Sequence, residues 1–175
     1  MEVDVSVIDP KTLRNVCGLF VTGVTVITTE EQGKPTGTTV NSFTSVSLDP
    51  PLVLFCLHKD SRLTPALARS RRFGVNFLAG RQERLAWAFA GRDPDALASA
   101  VHHTTETGVP VLGEALAFLA CRVVNEYDGG DHTIYLGEVA ELGGSRHGAE
   151  PLVFFRGSMG VLEEQLLGIH PILDG

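Results

Sequence analysis

The chain reads as a mainly β protein, a closed β barrel with short helices inserted between its strands. Six or seven runs rich in β-branched and aromatic residues are spread along the 175 residues, among them Val24-Thr25-Val26-Ile27-Thr28-Thr29. The helical stretches between them are short, opened by Asp-Pro or Thr-Pro and closed by glycine. The two longest runs, 116–127 and 133–142, are joined by Asp128-Gly129-Gly130-Asp131, a hairpin loop.

Taken in order, Asp9-Pro10 is a helix cap followed by proline at the first helical position, with Leu13, Val16, Cys17 and Phe20 at helical spacing and Gly23 as the expected stop. The run at 24–29 turns at Glu31-Gln32-Gly33-Lys34 into a next strand that opens the stretch 37–51. Asp49-Pro50-Pro51 breaks the ladder, and 52–58 is apolar enough for a short strand buried on both faces. Thr64-Pro65 starts a second helix, 73–78 is a strand, and 82–90 is a helix stopped by Gly91. Asp93-Pro94 starts another short helix through Leu97 and Val101. A last strand spans 152–155, and the tail carries Leu162, Leu166, Leu167 and Ile169 on a helix better suited to a partner subunit than to water.

The length fits one domain over 1–175, with its core at about 10–160 and a tail at 161–175. A net charge of −7 argues against nucleic acid as a partner, because neutralising phosphates needs clustered cations. The densest basic stretch, Arg69, Arg71 and Arg72, is either a local anion contact or a solvated helix end. No run reaches the ~18 apolar residues of a membrane span, and the acidic N-terminus is unlike a signal peptide. Cys17, Cys56 and Cys121, odd in number and flanked by apolar residues, read as reduced core thiols of a cytoplasmic protein.

The segment 37–51 carries seven hydroxyl or amide side chains and no Lys or Arg, which suits either an exposed Thr/Ser-rich strand or a wall against a bound polar ring. Several chemistries lack their motifs: there is no G-x-G-x-x-G after a strand, no P-loop, no G-x-S-x-G, no C-x-x-C and no H-E-x-x-H. No metal is expected. His102-His103 read as surface residues, since neighbours on a regular element point to different sides.

Thr22-Gly23-Val24-Thr25-Val26-Ile27-Thr28, the Asn-Ser-Phe-Thr-Ser-Val-Ser-Leu-Asp-Pro-Pro of 41–51, Ser61 with Thr64, Phe73-Gly74-Val75-Asn76-Phe77-Leu78, Gln82 with Phe89-Ala90, Gly130-Asp131-His132-Thr133-Ile134, Gly137-Glu138-Val139 and Pro151-Leu152-Val153 occur in this order. Together they resemble the flavin reductase family with the FMN-binding split-barrel fold, of Greek-key type, over about residues 10–160. The resemblance implies hydride transfer from NADH, with NADPH as the alternative, to FAD or FMN. It further implies a homodimer with the flavin near the subunit interface, and a separate flavin-dependent monooxygenase that receives the reduced flavin. Carried over by motif, Thr39, Val40, Asn41 and Ser42, followed by Ser45, Val46 and Ser47, meet the ring edge and ribityl chain. Thr25 and Cys56 join that cofactor-binding set. Ser61 and Thr64 meet the phosphate near a helix start, with Lys59 or Arg62 adding charge. Phe89 and Ala90 close over the ribityl or adenosine side, although Phe89 is equally well placed for the core. His132 binds cofactor and faces the nicotinamide, against the plainer reading of a loop histidine. Two other classes stay open: a non-catalytic flavin-binding protein on the same barrel, and an FMN oxidoreductase that keeps its flavin and reduces another acceptor.

Overall fold

The computed structural model describes residues 8–92, 100–144 and 148–162. The expected helix at 93–99 and the tail beyond 162 lie outside the described residues. The first helix, α1 (Pro10–Cys17), is capped as its sequence requires: the Asp9 carboxylate accepts from the Thr12 N–H and hydroxyl, both at 2.8 Å. It ends at Gly18, not Gly23, because Gly23 is taken up by β1 (Thr22–Gly23) in pairing with a later strand. No residue of α1 is buried.

β2 (Thr25–Glu31) and β3 (Lys34–Val40) form a hairpin whose turn residues Gln32 and Gly33 both have positive φ, 52° and 77°. β3 ends at Val40, so 37–51 is not one strand; residues 41–43 lead into β4 (Thr44–Leu48) and then β5 (Pro51–His58). β5 alternates, with Val53, Phe55 and Leu57 buried and its other face part-exposed, so it is not buried on both faces. α2 (Thr64–Ser70) begins at Thr64 itself, with Leu63 in the capping position and no side-chain cap. Its end is solvated as one sequence reading had it: Arg69 pairs with Glu31, Arg71 with Glu126, and Arg72 donates to the Thr107 carbonyl.

β6 (Arg72–Phe77) is followed by a 3₁₀ turn and α3 (Glu83–Phe89), then by a short hairpin, β7 (His102–Thr104) and β8 (Pro110–Leu112), which the sequence reading lacked. His102 and His103 are exposed there. β9 (Ala117–Gly129) and β10 (His132–Gly144) extend further than expected, leaving Gly130-Asp131 as the turn. β11 (Leu152–Phe155) pairs with β12 (Ser158–Val161), also unanticipated, and with β1. Among the described residues no helix is long and apolar enough to cross a membrane.

The main sheet has seven antiparallel strands in the order β3-β2-β6-β9-β10-β5-β4. Its two edge strands, β3 and β4, are consecutive in sequence and joined by residues 41–43, so the sheet must curl until its edges meet. It does not close. The expectation of a closed barrel is corrected here, since no ladder joins β3 to β4 or β5. The register explains the gap. Thr44 faces Leu54, so residue 42 falls opposite Cys56, and there the Ser42 hydroxyl replaces a backbone pair: it accepts from the Cys56 N–H at 2.9 Å and donates to the Cys56 carbonyl at 3.0 Å.

One core cluster includes Ile27, Phe55, Leu63, Leu67, Phe73 and Tyr135; Phe55 stacks on Tyr135 and meets Phe73 edge-on at 4.9 Å. A second, with Val26, Leu78, Ala86, Leu112 and Leu152, includes residues of β2, α3 and β11. β2 is buried on both faces, which is why its run is almost uninterrupted in apolar and threonine residues. Asn76 is fully buried on β6, where its amide donates to the Val26 carbonyl and the Thr28 hydroxyl and accepts from the Leu112 N–H at 2.7 Å.

Candidate flavin groove at the split of the sheet

Where the sheet fails to close, a cleft of about 420 Å³ opens. Residues 38–42 form one wall, Cys56, Leu57 and His58 from the end of β5 form another, and Asp60, Ser61 and His132 complete it. The wall is rigid for local reasons. Thr25, buried behind it, donates its hydroxyl to the Val40 carbonyl at 3.0 Å, and Thr39 donates to the Ala86 carbonyl at 2.6 Å. With Ser42 bonded to Cys56, the hydroxyls of Thr39 and Ser42 both help to shape the wall. Thr38 and Asn41 have no side-chain hydrogen bond among the described residues, and β3, as an edge strand, presents unpaired backbone groups.

The mouth of the cleft is set by register. His58 and His132 lie directly opposite across β5 and β10, with rings edge-on at 5.3 Å. The Asp60 N–H donates to His58 Nδ1 at 3.2 Å. His132 Nδ1 is 2.6 Å from the Asp131 carboxylate and takes the hydrogen. That hydrogen bond and the His132 charge hold the Asp131 carboxyl below its ordinary value. The Lys59 ammonium does the same to Asp128 across the hairpin end. Burial pushes the Cys56 thiol up, and pushes Cys121 up to about 12. Neither is a ready thiolate. Cys17 is exposed and so is no core thiol.

Residues 17–163 match the flavin reductase like domain. The chain belongs to the flavin reductase family. It is 43% identical over 164 residues to the reductase subunit HsaB of a flavin-dependent monooxygenase from Rhodococcus jostii, covering 94% of this chain and 80% of that one. An NADH-dependent flavin reductase of Rhodococcus sp is 40% identical over 166 residues, or 92% and 90% of the two chains. Among solved structures, the Streptomyces globisporus NADH:FAD oxidoreductase SgcE6, in complex with NAD and FAD fragments, aligns over 91% of this chain and 98% of its own, with a TM-score of 0.82 and 39% identity.

For a flavin reductase the cleft has fitting chemistry. An isoalloxazine edge and ribityl chain present neutral donors and acceptors, and the Asn41 amide, the Thr38 hydroxyl, the edge backbone and the Ser61 hydroxyl, which also accepts from the Leu63 N–H at 3.3 Å, match them. Of the residues the sequence singled out, the fold gathers Thr39, Val40, Asn41, Ser42, Cys56, Ser61 and His132 in the cleft. The rest lie elsewhere. Thr25 is behind the wall, and Ser45, Val46 and Ser47 run along β4. Lys59 pairs with Asp128, Arg62 is exposed, and Thr64 is the first residue of α2. Phe89 packs over Gly37 and lines a separate cavity of about 200 Å³, with Ala90 exposed at the end of α3. Leu57, His58 and Asp60 were not singled out, and Thr38 was covered only as part of the 37–51 segment. His58 left a signal, since it follows Cys56 at the two-residue period of a strand and so shares its face.

Proposed function

We propose that the chain transfers hydride from NADH to FMN or FAD and hands the reduced flavin to a separate flavin-dependent monooxygenase. The observation that carries this reading is the neutral, amide- and hydroxyl-lined cleft at the split of a flavin reductase-family sheet, with a histidine pair at its mouth. Bound flavin supplies the hydride acceptor, so the chain itself needs no nucleophile and no metal. The wall at 38–42 orients the ring by hydrogen bonds, and Asn41 with the edge backbone stabilises negative charge near the pyrimidine side. His132, steadied by Asp131 and by the edge of His58, positions the nicotinamide face to face with the ring, where reacting atoms need to come within about 3–3.5 Å. Ser61 is the nearest match to a phosphate ligand, beside Lys59 and Arg62. The neutral grip favours a flavin that exchanges. The chain acts as a homodimer in the cytoplasm, and NADPH is the weaker donor.

Steady-state oxidation of NADH and NADPH, each with added FMN and FAD, is the decisive assay. NADH consumption that depends on free flavin is expected. A yellow stoichiometric complex indifferent to both nicotinamides would sink the reductase reading.

The Ser42 clasp has its own expected outcome. Ser42→Ala leaves the Cys56 N–H and carbonyl without their partner, which costs about 1–2 kcal/mol of stability. Because the same residue fixes the groove wall, the KM for flavin rises several-fold. Denaturation midpoint and flavin KM both matching the parent would show that the clasp matters to neither.

A further inference from the structure

The groove does not end at Asn41. That residue also lines a second cavity of about 640 Å³, bounded by the last turn of α1, residues 19–22 and the β11–β12 turn. Leu19, Phe20 and Phe154 give it apolar and aromatic surface, and Arg14 and Arg156 give it charge. Arg69, Arg71, Arg81 and Arg122 each pair with a glutamate, as expected where acids outnumber bases. Arg14 and Arg156 touch no carboxylate among the described residues, and Arg156 makes only a cation–π contact, 5.1 Å above Phe155. Arg62, Arg72 and Arg92 also lack a carboxylate partner among the described residues, so what sets Arg14 and Arg156 apart is that they line one cavity together.

Backbone geometry brings the two together. The Gly18 N–H bonds to the Arg14 carbonyl at 2.9 Å, and the Arg156 N–H bonds to the Gly18 carbonyl at the same distance. Arg156 and Gly157 form a two-residue turn between Phe155 and Ser158, with φ of 51° and 81°. Asn, Asp or Gly suits the first of those positions; a long cationic side chain there is held against local preference. Thr22 also lines the cavity, and its hydroxyl is buried without a hydrogen-bond partner among the described residues. Two guanidiniums without a carboxylate partner among the described residues, set beside aromatic surface in one cavity, call for an anionic ligand with a flat ring.

We propose that this cavity binds the pyrophosphate of a dinucleotide whose reactive ring occupies the groove on the other side of Asn41, with Arg14 and Arg156 as its phosphate ligands. Guanidinium forks match phosphate oxygens in pairs. Phe20 and Phe154 offer faces for the second nucleotide's base. NADH and FAD share this chemistry. The inference rests on the reductase reading for the ring in the groove.

The test uses Arg156→Asn, which suits the turn and so keeps the fold, and Arg14→Gln. ADP carries the pyrophosphate without a reactive ring, so its equilibrium binding reads the cavity by itself; a loss of about tenfold is expected in each variant. In turnover, KM rises about tenfold for the dinucleotide that uses the site. A rise for NADH with both flavins identifies the nicotinamide donor as the occupant; a rise for FAD and not FMN identifies the flavin. The ratio of kcat/KM for NADH to that for the uncharged donor N-benzyl-1,4-dihydronicotinamide falls in the first case. Three results would overturn the proposal: ADP that does not bind the parent protein, folded variants whose ADP affinity and dinucleotide KM stay within twofold of the parent, or variants whose main change is loss of the oligomer in size-exclusion chromatography. A parent protein that binds ADP yet oxidises no NADH with either flavin fails the reductase reading and not this one.

Discussion

Replacing Asn76 by leucine lowers the unfolding free energy by about 3–5 kcal/mol, measured by urea or guanidinium denaturation. The side chain is completely buried, and its amide joins three segments: β2 through the Val26 carbonyl and Thr28 hydroxyl, β8 through the Leu112 N–H, and its own strand β6. Leucine is close in size, so the loss arises from stranded partners and not from a hole. The Leu112 N–H is left with no acceptor, and the Val26 carbonyl and Thr28 hydroxyl each lose a donor. Thr28 still donates to the Pro110 carbonyl at 2.6 Å, which keeps part of the network and sets the upper bound. Asn76→Asp is expected to be no better, because it removes the donors and buries a charge. A leucine variant within 1 kcal/mol of the parent would show that the network is not what holds the β7–β8 hairpin to the sheet.

A side chain at Gly137 is expected to cost about 2–3 kcal/mol even when it is only a methyl group. An added Cβ would stand 2.3 Å from Phe73 Cζ and 3.3 Å from the Cys121 Cβ. Phe73 cannot swing aside, being fully buried against Phe55. The ladder between β9 and β10 shifts register between Leu136 and Gly137, so the backbone there is also constrained. The diagnostic measurement is a double-mutant cycle: Gly137→Ala with Phe73→Leu should lose at least 1 kcal/mol less than the sum of the single changes, because leucine vacates the space the methyl needs. Simple additivity would place the cost in the backbone and not in the ring.

Much of the architecture was legible because local chemistry punctuates it. Asp9-Pro10 and Gln32-Gly33 mark a cap and a turn that the fold uses as written. The misses share one cause, which is pairing at long range. Thr38 to Ser47 has one texture throughout, and nothing within it reveals that β3 and β4 end up at opposite edges of a seven-stranded sheet. His102-His103-Thr104 is too short and polar to announce a strand, and it becomes one by pairing with Pro110–Leu112. In the groove, the sequence shows that Thr39 and Ser42 carry hydroxyls, and only the fold shows that a carbonyl on α3 and the backbone of β5 engage them. His58 matters because it stands opposite His132, a matter of register that no local pattern states. Arg14 and Arg156 become neighbours through Gly18, a link visible only in three dimensions.

The seam between β3 and β5 has a consequence for how this protein can be tuned. A sheet that zipped shut would consume its edge amides and carbonyls in its own ladder, leaving a guest to compete for side chains alone. Because among the described residues one hydroxyl, that of Ser42, does the fastening, most of that edge stays outside any ladder. Grip on a visitor can then be adjusted by adding or deleting stitches along the seam, without altering any group that touches the visitor's reactive atoms. Tight retention and quick release become two settings of one zipper.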